Sequence, residues 1–305
     1  VGNDTCFNVL LGSCAGKALN GGADNVIIGK NAGCCLEDKC FNVFVGKYAG
    51  QFLTGEKNIA IGCCAGTGSS TPADNTAFRN IFIGNWVANK ITTGCYNIAF
   101  GEAAGACLTN SRHNVLLGHY AGYSLDASDN YNVFIGACAG RCVYNTTNVA
   151  IGWQTMERMG QTSANIAIGR QTMAGSSTVT CNSGGNNIAM GYQTACNISK
   201  AAHNIAMGHK VATCLTCGEE NIFLGKCSAR RVTTGSGNIA MGYYSGANTN
   251  DSTGSMNITI GASAGYALES GSCNVIIGHY TGQNVTSGEQ NILFGRFAGQ
   301  QLTTG

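Results

Sequence analysis

The sequence predicts an all-β fold, a parallel β-solenoid (β-roll or β-helix) of about 17 rungs with a repeat of about 17 residues. Three observations carry that expectation. Asparagine recurs at a nearly constant interval, an apolar triplet follows each one, and glycine closes each triplet. The composition agrees, with 45 glycines and a single proline in 305 residues. Collagen needs abundant proline and glycine at every third position, so it is excluded.

The asparagines are Asn8, Asn25, Asn42, Asn58, Asn80, Asn97, Asn114, Asn132, Asn148, Asn165, Asn187, Asn204, Asn221, Asn238, Asn257, Asn274 and Asn291. Ten of the sixteen intervals between them are 17 residues, and the others run from 16 to 22, so the variation sits in one loop. The residue after each Asn is Val or Ile, and the residue two beyond that is large and apolar, as in Asn58-Ile59-Ala60-Ile61-Gly62. Alternate residues of a strand share a face, so Ile59 and Ile61 and their equivalents are expected to point inward. The fifth residue is always glycine: Gly12, Gly29, Gly46, Gly62, Gly84, Gly101 and so on to Gly295. It supplies a turn conformation that a Cβ obstructs. A small pair follows, usually Ala-Gly as at Ala65-Gly66, then a second apolar position, often with Thr-Thr-Gly as at Ile91-Thr92-Thr93-Gly94. The asparagine amides are expected to bond local backbone and one another along the stack.

One rung cannot bury its apolar face alone, so neighbouring rungs must stack into a continuous core. At strand spacing of about 4.8 Å, the array would be on the order of 80 Å long. The reading is a single array over residues 1–305, uncapped at both ends. Val1-Gly2-Asn3-Asp4 opens within a polar loop, and Leu302-Thr303-Thr304-Gly305 closes within a repeat. That reads as a processed product or an excerpt of a longer chain. Joining Gly305 of one copy to Val1 of the next would set Asn291 and the next Asn8 22 residues apart, an interval already present twice, so copies are expected to stack head to tail.

The middle residue of each triplet is expected to face outward. It is Leu10, Ile27, Phe44, Ala60, Phe82, Ala99, Leu116, Phe134 and onward to Leu293, never charged. A solvated strand face alternates to polar residues, so this stripe predicts lateral packing on an identical solenoid, the competing reading being cover by a side loop of the same chain.

Seventeen cysteines in a chain without a zinc-type pattern favour an oxidising, extracellular setting. Candidate disulfides are Cys138 with Cys142, Cys14 with Cys35, and Cys214 with either Cys196 or Cys227. Cys214-Leu215-Thr216-Cys217 has CxxC spacing, but no second pair completes a tetrahedral metal site. Charged residues make up 10% of the chain and the formal net charge is +2, which gives no electrostatic case for nucleic acid. No apolar run is long enough for a helical membrane span. Neither a phosphate loop nor a dinucleotide fingerprint occurs, and the five histidines, His113, His119, His203, His209 and His279, sit in turns without a nucleophile partner. No catalytic, cofactor-binding or metal site is expected.

The Asn-Ile-Ala-Ile-Gly element resembles the head repeats of trimeric autotransporter adhesins. With Ala-Gly and Thr-Thr-Gly it is also similar to the Gly/Asn-rich repeats of phage tail fibres. The resemblance implies an elongated homo-oligomer at a cell or virion surface, with a cell-surface receptor or glycan as partner. Ile28-Gly29-Lys30-Asn31-Ala32-Gly33 resembles the hexapeptide unit of left-handed β-helix acyltransferases, though with one unit per rung where those enzymes carry about three. A threonine ladder for ice is hinted at by Thr93, Thr147, Thr234 and Thr304 and broken elsewhere. The functional expectation is a structural, non-enzymatic protomer of an extracellular fibre or filament, self-associating head to tail, laterally or both. The alternative is a tail fibre or adhesin head that binds a receptor.

Overall fold

The structure is a computed structural model that describes residues 7–126, 128–175, 183–246 and 250–304. The leader with Cys6, part of the loop at 180–182 and Gly305 lie outside the described residues. Two compact units are present, Val1–Asn148 and Val149–Gly305. Each is a parallel β-solenoid with one three-residue strand in the main ladder per rung, seventeen such strands among the described residues.

In the first unit the strands Val9–Leu11, Val26–Ile28, Val43–Val45, Ile59–Ile61, Ile81–Ile83, Ile98–Phe100, Val115–Leu117 and Val133–Ile135 pair in chain order. The second unit runs in the same way from Val149–Ile151 to Ile292–Phe294. Equivalent residues always face each other across the ladder. Ile59 pairs with Ile81 even though 22 residues separate their asparagines, because a short 3-10 turn at Pro72–Asp74 takes up the excess.

The two strand faces are the reverse of the expectation. The middle residue points inward: Ile27, Phe44, Ala60, Phe82, Leu116 and Phe134 are all fully buried. Its neighbours on either side, such as Ile59 and Ile61, are half-buried and face outward. The reason lies across the rung, where the small Ala-Gly pair makes room for the middle side chain. Gly50 takes a left-handed φ of +57°, and a Cβ there would lie 2.7 Å from the Phe44 ring. The second apolar position closes the core, with Leu36, Leu53, Ile91, Leu108 and Leu125 fully buried. Large and small middle residues alternate over four rungs of the first unit (Phe44, Ala60, Phe82, Ala99), whereas Ala150, Ala167, Ala189 and Ala206 follow one another in the second.

The turns depend on left-handed backbone at residues that are not glycine. The position before each Asn is one such column, with φ of 63° at Phe41, 59° at Tyr96, 57° at His113 and 59° at Tyr131. This conformation costs roughly 1–2 kcal/mol per L-residue. Hydrogen bonds to the preceding rung offset the cost: the Phe41 N–H donates to Ala23 O at 3.1 Å and the Tyr131 N–H to Arg112 O at 3.1 Å.

Candidate self-association surface

The outward face of the solenoid is built from the first and third residues of every strand. The first is always Val or Ile, and the third is Leu, Ile, Val, Phe or Met. Neither column contains a single polar side chain. β-Branched residues suit the pleated backbone here, but a strand face left in water ordinarily turns polar. Exposure is substantial: Ile98 38%, Phe100 48%, Ile166 39% and Met207 39%.

Stacked rings and cations border the apolar columns. In the first unit, Arg79 lies 5.5 Å from the Tyr96 ring and donates to its hydroxyl at 2.6 Å. Tyr96, His113 and Tyr131 then stack at successive 5.0 Å centroid separations. In the second unit, Arg170 sits 4.7 Å from the Trp153 ring and 5.7 Å from Tyr192, and Tyr192 stacks on His209 at 5.2 Å. Such contacts hold these side chains against one another along the stack.

Behind this face the asparagines hold the rungs in register. Asn97 is typical: its Oδ1 accepts from the backbone N–H and the amide of Asn114, both at 3.1 Å, while its own amide donates to Ser111 O at 2.8 Å. The chain Asn8, Asn25, Asn42, Asn58, Asn80 and Asn97 is linked in this way without interruption. Beside it, the glycines at 12, 29, 46, 62, 84 and 101 stack backbone on backbone, the Gly46 N–H donating to Ile28 O at 2.7 Å.

No disulfide joins the described cysteines, so the pairs expected among Cys14, Cys35, Cys138, Cys142, Cys196, Cys214 and Cys227 are not formed. Between adjacent rungs, no column of the described residues holds cysteine twice in succession. Cys14 is followed by Asn31, Cys35 by Phe52, Cys196 by Thr213 and Cys214 by Arg231. The closest thiols are sequence neighbours, Cys34 and Cys35 at 3.5 Å and Cys63 and Cys64 at 3.7 Å. Burial, with the hydrogen bond to Cys35 second, pushes the Cys34 thiol up to about 11. Iodoacetamide at pH 8 is therefore expected to label the exposed Cys217 and Cys273 well before Cys34, as read by peptide mass mapping. Equal labelling rates would contradict this environment.

Among the described residues, no three His, Cys, Asp or Glu side chains converge as a metal site, and no helix is long and apolar enough to cross a membrane. Of the histidines, His113 lies within the ring stack and His119 lies 3.9 Å from Glu102. Compared with known proteins, the chain matches no family model, no curated protein and no solved structure.

Proposed function

We propose that this chain is a structural protomer of an extracellular fibre or filament, in which solenoids associate laterally through their outer strand faces. One observation carries the reading: both outward columns are apolar at every rung of both units. A continuous apolar stripe with a polar, aromatic and Arg-bearing margin has the anatomy of a protein interface. A second copy is the natural occupant, because it presents the same stripe at the same rung spacing and can match it rung for rung. The extracellular setting, on a cell or virion surface, rests on the likeness of the repeat to adhesin heads and tail fibres.

The double variant Ile98→Glu/Phe100→Glu places two carboxylates in the middle of the stripe without touching the core. Sedimentation velocity is expected to show oligomers for the parent and a monomer for the variant, with unchanged far-ultraviolet circular dichroism. A parent chain that stays monomeric at tens of micromolar, roughly the range of weak specific association, would overturn the proposal.

A further inference from the structure

A cavity of about 230 Å³ opens on the turn side of the first unit, lined by Trp86, Asn89, Lys90, Glu102, Tyr120 and Tyr123. Its origin can be read from the rungs. Trp86, Ala103 and Tyr120 occupy one column, each two residues after the rung glycine, and all three are left-handed, with φ of 56°, 53° and 56°. Where consecutive members of this column are aromatic they stack, as Tyr280 does on Phe297 at 5.7 Å and 10°. Ala103 removes the ring that would fill the space between Trp86 and Tyr120. In a second column, Ala106 does the same between Asn89 and Tyr123. One alanine-rich rung, Glu102-Ala103-Ala104-Gly105-Ala106, is thus set between two rungs that bear rings.

We propose that this slot binds a single hexopyranose, the terminal sugar of a glycan. Two rung spacings separate its walls by about 9.6 Å. A flat aromatic ring in contact with both walls needs only about 7 Å, at 3.5 Å per face, and would be loose there. A chair-form sugar with axial hydrogens is thicker and fills the gap. The volume points the same way, since it falls below the roughly 300 Å³ at which pockets for larger ligands begin. The polar groups suit hydroxyls, which both donate and accept. Asn89 lines the slot with a side-chain amide that can both donate and accept, although its Oδ1 is itself covered and would be reached only by a turn of the amide. The Glu102 carboxylate adds a second acceptor and the Lys90 ammonium a donor, its nitrogen 3.9 Å from Cys107 Sγ. Trp86 is 53% exposed, an apolar ring held in water beside these groups. The proposal is independent of self-association, because every residue of the slot belongs to one unit of one chain.

Trp86 and Trp153 are the two tryptophans, so the Trp153→Phe variant of the full chain makes Trp86 a sole reporter. Its emission is to be titrated with the methyl glycopyranosides of glucose, galactose and mannose, and separately with adenosine. A saturable change with at least one glycoside is expected. Adding Ala103→Tyr, which restores a ring to the slot, is expected to weaken that response roughly tenfold or more. Tyrosine is tolerated in this column, as Tyr120 shows, and circular dichroism checks the fold. Amide shifts at Glu102 and Tyr123 in a Trp86→Ala variant give a second readout, expected to lose saturation. Absence of saturation with every glycoside, an unchanged titration in the Ala103→Tyr chain, or saturation by adenosine alone would each overturn the assignment.

Discussion

Replacing Gly46 with alanine is expected to cost more than about 3 kcal/mol, enough to open the stack around that rung. The Cβ would lie 2.4 Å from Gly62 O and 2.7 Å from Gly62 C, at a φ of +135° that side chains rarely adopt. Neither backbone atom can retreat, because the Gly62 N–H is bonded to Val45 O at 2.8 Å in the same ladder. Gly237 provides the contrast. Its φ is +66°, in a column where Phe41 and Tyr96 are accommodated, and the nearest atom to an added Cβ is 3.6 Å away. Gly237→Ala should therefore change stability by no more than about 1 kcal/mol. Urea unfolding followed by circular dichroism separates the two, and equal losses would show that the glycine column is not set by close backbone approach.

Asn97→Leu is expected to destabilise by about 2–6 kcal/mol. Leucine matches the volume but leaves the Asn114 N–H and the Ser111 carbonyl, both in fully buried residues, without their side-chain partner. Each unsatisfied buried group costs about 1–3 kcal/mol. Asn97→Asp separates the donor from the acceptor role. A carboxylate still accepts from Asn114 but presents negative charge to Ser111 O, whereas the protonated acid can donate to it. The aspartate form should therefore regain stability as pH falls, while the leucine variant should not. Urea midpoints at neutral and acidic pH test this, and parallel pH profiles for the two variants would contradict the account.

Much of the architecture was legible because Asn and Gly each do work that few residues can replace, at fixed offsets from the same triplet. The phase of the strand was not legible by polarity, since Ile59, Ala60 and Ile61 are all apolar and alternation carries no contrast. Size was the usable signal. The middle column admits alanine, as at Ala60 and Ala99 beside Phe44 and Phe82, while the outward columns hold only larger apolar residues. An apolar outward stripe was therefore anticipated but assigned to the wrong side chains. The disulfide pairs drawn from clustering in sequence find no support in the structure, where no column of the described residues holds cysteine in two consecutive rungs. The left-handed turn positions left no trace in residue type: Phe41, Lys57, Arg79 and Tyr96 share a backbone conformation and little else. The cavity beside Trp86 was missed for a related reason, since Ala103 gains meaning only when Trp86 and Tyr120 are known to lie on either side of it.

The proposed association rests on the apolar outer columns, with the asparagine and glycine ladders holding the rungs in register. Electron cryomicroscopy of the purified full chain addresses this directly. The expected reconstruction has neighbouring copies in contact through Ile98, Phe100, Val115, Leu117 and their equivalents, with the asparagine column enclosed within each copy. A reconstruction in which those side chains face solvent while copies meet elsewhere, or in which single chains stand alone, would contradict it.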